Sequence, residues 1–131
     1  MSDELVRVRD LKKIFSVPAG ELHAVDGVDF SIARGSTIGI VGESGCGKST
    51  MGRLLAMLLE ATSGEILFDG QNIAKKMSKA EAMAYKKRIQ MIFQDPFSSL
   101  NPRMTTFETI IEPLNIHRAG TLPVSYTHLT L

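Results

Sequence analysis

The chain has 131 residues, 44% of them hydrophobic and 22% charged, with a net charge of +1. This is enough sequence for one domain with a modest core; the balance excludes a disordered chain and supplies no global field toward nucleic acid or an anionic membrane. The longest apolar run, Leu54–Leu59, is too short to cross a bilayer, Asp3, Glu4, Arg7 and Arg9 interrupt any apolar leader, and a lone cysteine permits no internal disulfide, as suits a reducing cytoplasm.

In "ELVRVRDLKKIF", Val6 and Val8 alternate with Arg7 and Arg9, which predicts a half-exposed strand. "DGVDFSIARG" repeats the pattern, with Val28, Phe30 and Ile32 on one face, so the two are expected to be antiparallel strands with one wet side. "STIGIVG" has no polar face and predicts a strand buried on both sides, as in a parallel sheet. Met51, Leu54, Leu55 and Leu58 then recur at helical spacing. "SGEILFDG" is a strand ending in the turn pair Asp69-Gly70. Ser78 and Glu81 form a capping box opening "SKAEAMAYKKR", whose Lys86, Lys87 and Arg88 suit the carbonyl end of a helix. "IQMIF" predicts a second buried strand, stopped by Gln94, Asp95 and Pro96, and "TFETIIEPLNIH" a short helix broken at Pro113.

The chemistry is concentrated in "GIVGESGCGKST". Gly42, Gly47, Lys48 and Ser49 satisfy G-x-x-x-x-G-K-[ST], with Glu43, Ser44, Gly45 and Cys46 as the variable positions and Thr50 following. A chain of this length meets that pattern by accident roughly once in a few hundred cases, and a strand before and a helix after make accident rarer still. Glycines let backbone N–H groups turn inward around an anion, and the helix N-terminus adds unpaired donors and an aligned dipole. Lys48 brings a full charge to the β- and γ-phosphates of a bound ATP, and the Ser49 hydroxyl can complete a Mg²⁺ shell. Helix N-termini can lower a thiol pKa, yet Cys46 is expected to serve only through its backbone.

A triphosphatase also needs a carboxylate for the metal and a group that activates water. Two apolar runs end in aspartate. Asp69 is followed by Gly70 and reads as a hairpin turn; Asp95 follows Gln94 at the end of "MIF", where ligands gather in open α/β sheets. Gln94 can offer its carbonyl oxygen to the metal or a bridging water, while Asp95 does the same or starts the turn before Pro96. No apolar run ends in Asp-Glu, so a general base is not found.

"VGESGCGKST", "GEILFDG" and "MIFQDPFSSLNPRMT" together resemble the ATP-binding subunits of ABC transporters, and most specifically those of dipeptide and oligopeptide importers. The resemblance implies an α/β P-loop NTPase of the ABC ATPase type. Residues 1–119 would be the N-terminal portion of its nucleotide-binding domain, an antiparallel β subdomain plus a partial parallel core sheet with helices. It implies that Gln94 is the Q-loop glutamine, a Mg²⁺ and water contact that with Lys48 serves catalysis and that also senses the membrane subunits. It places Phe15 at the adenine-stacking position with Val25 nearby, although a core aromatic closing the first strand explains the spacing of Phe15 nearly as well. ATP and Mg²⁺ would be the cofactors; membrane permease subunits and a second nucleotide-binding subunit, identical or not, would be the partners, with no nucleic acid. The location would be cytoplasmic, peripheral on the inner face of the cell membrane. The family's signature motif, Asp-Glu strand and switch histidine are not found in the sequence, so the 131 residues by themselves are expected to be inactive as an ATPase. The other readings are a small-molecule kinase using Asp95 as its metal carboxylate and a non-transport ABC ATPase. "SYTHLTL" resembles translated sequencing-adaptor read-through, and residues 120–131 are expected to be an unrelated tail.

Overall fold

The computed structural model describes residues 3–117. They fall into two compact units, one ending at Gln90 and the other beginning at Met91.

The first unit is built on two long strands, β1 (Glu4–Val17) and β2 (Gly20–Ala33), which run antiparallel around a turn at Pro18 and Ala19. After β2 the chain passes through the glycine loop into α1 (Lys48–Leu55), and then into β3 (Ser63–Phe68), β4 (Gln71–Asn72) and α2 (Lys79–Lys86). The sheet order is β2-β1-β3-β4, and every pairing is antiparallel. Alternation carries Val8 of β1 and Ile66 and Phe68 of β3 into the core, and the irregularity at Asp10 brings Leu11 to the same buried cluster. Val25, Met51, Leu54, Ile73 and Tyr85 complete the cluster, so α1 and α2 are held by a continuous apolar face. Burying a side chain such as Leu11 or Leu54, both almost fully enclosed, contributes roughly 2–3 kcal/mol.

Three local features shape this unit. Asp10, at φ 41, sits where the β1 register shifts, and the backbone of Gly64 passes so close that an added Cβ would strike the Asp10 carbonyl. This bulge bends β1 and lets β3 approach. The β3–β4 connection is the expected two-residue turn, with Asp69 and Gly70 both at positive φ, 52 and 81. Such turns match the natural twist of the flanking strands. The predicted capping box also forms: the Ser78 N–H donates to Glu81 Oε2 at 2.8 Å, and the Glu81 N–H donates to Ser78 Oγ at 3.3 Å.

The second unit holds α3 (Pro96–Ser99) and α4 (Thr106–His117). A second capping box, not anticipated from the sequence, opens α4. The Thr105 N–H donates to Glu108 Oε2 at 2.7 Å, and the Glu108 N–H returns to Thr105 Oγ1 at 3.2 Å. The break expected at Pro113 does not occur, because α4 continues to His117. Pro113 is exposed, so water can satisfy the carbonyl that its missing N–H leaves unbonded, and burial of Ile111 holds the helix across it.

Two expected strands are also absent as strands. Thr37–Val41 and Ile89–Phe93 have no ladder partner among the described residues, so the partial parallel core sheet is not assembled there. Val41 and Ile92 are each 96% exposed. A parallel strand needs hydrogen-bonding neighbours beside it and helices over both faces. The described residues supply an antiparallel sheet that is already satisfied and none of those neighbours.

Candidate nucleotide site

The glycine loop delivers the chain from β2 into α1, and Gly47 is its pivot. Gly47 is the N-cap of α1 at φ 94, a conformation side chains disfavour. A Cβ there would drive into the Ala24 carbonyl and reach Val25 Cγ2 at 3.7 Å. Gly47 is therefore obligatory both for its dihedral and for seating the loop on β2. Gly42 is confined in another way, since a Cβ would lie 2.5 Å from Cys46 Sγ. Gly45, at φ 82, faces open space.

Lys48, the first residue of α1, folds its ammonium back across the loop. Nζ donates to the carbonyls of Gly42 at 2.6 Å and Glu43 at 2.5 Å, with Cys46 Sγ 3.5 Å away. The cation is thus tied to the loop's own carbonyls. At the opening of α1 no side chain caps the helix, and no acidic residue occupies its first turn. Its leading N–H groups remain available as donors, which suits an anion and disfavours a competing carboxylate. Ser49 is exposed. These features fit a phosphate and its Mg²⁺: the loop backbone, Lys48 and Thr50 would hold the anion, and Ser49 Oγ would hold the metal.

A cavity of about 550 Å³ adjoins the loop, where Val25, Val28, Met51 and Ile38 meet Lys48. Val25 is buried, as a residue seating the loop must be. Phe15 does not line this cavity. It is half-buried on β1 opposite Leu22, with Lys13 Nζ 5.0 Å from its ring centroid. Gln94 belongs to the second unit and is exposed. The residues from Gly42 to Thr50 and Val25 are therefore gathered in one place.

Asp95 has a structural task. Its Oδ1 accepts from the Phe97 N–H at 3.0 Å and from the Ser98 N–H at 3.4 Å, capping α3. A hydrogen bond from the Ser98 side chain, followed by those from the Ser98 and Phe97 N–H groups, holds its carboxyl below the usual carboxylate range. Asp69, the other aspartate after an apolar run, is the hairpin turn residue and is bound by Arg34 and Arg88. The sequence pattern carries no signal for those two partners, which come from distant positions.

The profile of the ABC transporter family matches residues 25–128, a span that includes the loop, α1 and Gln94. The chain belongs to the ABC transporter family. Among curated proteins, the oligopeptide transport ATP-binding protein OppF of Bacillus subtilis (strain 168) is 48% identical over 118 residues, covering 90% of this chain and 39% of that protein. AppF of the same organism, also an oligopeptide transport ATP-binding protein, is 46% identical over 127 residues, covering 92% of this chain and 39% of that protein. The chain thus spans about two fifths of the length of these relatives. Among solved structures, the ATP-binding cassette MJ0796, in a dimeric post-hydrolysis state bound to ADP and Pi, matches with a TM-score of 0.77 at 25% identity, covering 92% of this chain and 51% of that one. The ABC ATPase fold expected from the sequence is thereby established. Residues 118–131, which contain the whole of the expected unrelated tail, lie outside the described residues. No helix among the described residues is long and apolar enough to cross a membrane.

Proposed function

We propose that this chain is the ATP-binding portion of a subunit that powers import of peptides or similar small solutes through membrane permease partners. The observation that carries the reading is Lys48 held across the loop carbonyls at an uncapped helix start, in a chain 48% identical to an oligopeptide transport ATP-binding protein.

In this reading the backbone from Gly42 to Thr50 wraps the phosphates, with Glu43, Ser44, Gly45 and Cys46 contributing through their main chain. Lys48 neutralises the β- and γ-phosphates. Bound MgATP supplies the phosphoryl group whose hydrolysis would drive transport. Ser49 Oγ would hold the metal, and Gln94 would offer its carbonyl oxygen to the metal or to a bridging water. Val25 seats the loop, and Phe15 offers its ring to the adenine on exchanging its contact with Lys13. A second nucleotide-binding subunit would close over the nucleotide, and the segment around Gln94 would pass that closure to the permease on the inner face of the cell membrane. The 131 residues contain no Asp-Glu strand end to activate water, so they bind nucleotide without appreciable turnover. The cap formed by Asp95 weighs against a kinase in which that carboxylate holds the metal.

Titration of a fluorescent ATP analogue with Mg²⁺ into the chain and into Lys48→Ala tests the reading. Affinity should fall at least about tenfold in the variant, as expected for loss of a charged hydrogen bond to phosphate. Equal binding by the two would reject it.

A further inference from the structure

Asp69 occupies the first position of the β3–β4 turn, where its positive φ of 52 suits Asp or Asn. Turn chemistry does not account for its side chain. Arg34 Nη2 donates to Oδ1 at 2.7 Å, and Arg88 Nη2 donates to Oδ2 at 2.9 Å, so each carboxylate oxygen holds a different arginine. The turn that presents this carboxylate is itself fixed, because the Asp69 N–H donates to the Leu5 carbonyl at 2.8 Å. Arg34 is anchored beside it, its N–H donating to the Asp3 carbonyl at 2.7 Å. Arg88 also lies over the Phe68 ring, 4.5 Å from the centroid. Hydrogen bonds from Arg88 and then Arg34 hold the Asp69 carboxyl below the usual carboxylate range, so it stays ionised at neutral pH.

Both arginines stand at the roots of unpaired segments. Arg34 is followed, after Gly35 and Ser36, by Thr37–Val41, which leads into the phosphate loop; Arg88 directly precedes Ile89–Phe93. A segment without a ladder has no cross-strand register to fix its starting point. One acidic group shared by two roots supplies a fixed origin instead.

We propose that Asp69 is a positioning residue whose carboxylate pins Arg34 and Arg88 and so sets where the phosphate-loop segment leaves β2 and where the Ile89–Phe93 segment leaves α2. This rests on the nucleotide reading only for its effect on affinity.

Asp69→Asn separates the charge from the turn, because Asn suits the left-handed position as well as Asp does. The full chain and the variant are digested briefly with trypsin, and cleavage after Arg34 and Arg88 is compared by mass spectrometry with cleavage after Lys12 and Arg103. The expected result is cleavage about threefold or more faster at both arginines, with the reference sites little altered. Binding of the fluorescent ATP analogue with Mg²⁺ should weaken severalfold in Asp69→Asn and in Arg34→Gln, and much less in Arg88→Gln, which does not root the loop segment. Unchanged cleavage at both arginines, equal acceleration at every site, or unaltered affinity beside faster cleavage would each overturn the proposal. A failure of Lys48→Ala to affect binding would instead reject the nucleotide reading, and the trypsin comparison judges the clamp without it.

Discussion

Tyr85 donates its phenolic hydroxyl to the Leu55 carbonyl at 2.5 Å, tying α2 to the last residue of α1. The same ring meets Phe68 edge to face, with centroids 4.9 Å apart. The helix that follows the phosphate loop is thus fixed at its far end by a buried aromatic from 30 positions along the chain.

Replacing Tyr85 with Phe should cost about 1 kcal/mol, the typical worth of one such hydrogen bond, with the ring packing retained. It should also alter the alkaline limb of stability. Burial raises the Tyr85 hydroxyl from 10.0 to about 12. Below pH 10 the tyrosine is protonated both folded and unfolded, and its contribution is complete. Between pH 10 and about 12 the unfolded chain ionises first, so folding loses stability with rising pH, and above that the loss levels off. Denaturant unfolding at pH 8 to 12 should show the difference between wild type and Tyr85→Phe shrinking through that window. A constant difference would contradict the buried, hydrogen-bonded hydroxyl.

The two central loop glycines should differ in their tolerance. Gly45→Ala adds a methyl in open space and meets only the cost of a left-handed residue, about 1–2 kcal/mol. Gly47→Ala carries the same dihedral cost and also pushes Cβ into the Ala24 carbonyl, which is backbone and cannot swing aside. Its melting temperature should fall clearly further than that of Gly45→Ala. Equal melting temperatures would show that the loop is not seated on β2.

Ser78→Ala removes the acceptor that satisfies the Glu81 N–H at the start of α2 and should destabilise the chain by about 1 kcal/mol. Ser78→Asn, which retains an N-capping oxygen, should recover most of it. Circular dichroism and denaturant midpoints measure both changes; an unaffected midpoint in the alanine variant would mean that α2 is held by Tyr85 alone.

Val41 and Ile92, each 96% exposed, carry apolar surface that the described residues leave in water. Val41→Lys and Ile92→Lys should each change unfolding free energy by less than about 0.5 kcal/mol, as at other open surface sites. Each should lower self-association seen by light scattering, because exposed apolar segments without ladder partners recruit other chains. Marked destabilisation by either would show that its side chain is covered in solution.

Much of this molecule is written locally. The Asp69-Gly70 turn, the Ser78–Glu81 box and the passage from glycine loop to helix each depend on residues a few positions apart, whose dihedral and hydrogen-bonding preferences act before any tertiary contact. The G-x-x-x-x-G-K-[ST] spacing is legible for the same reason, since the loop makes its cradle from its own backbone. Strand alternation likewise announced β1 and β2. What required the folded chain lies between distant positions: Ala24 beneath Gly47, Tyr85 against Leu55, and Arg34 and Arg88 on one carboxylate. No periodicity encodes such pairs, because each forms only when the sheet brings separate segments together. The apolar runs Thr37–Val41 and Ile89–Phe93 show the converse. Their composition expresses a demand for burial, yet a parallel strand exists only when neighbours supply its ladder, and composition alone cannot supply them.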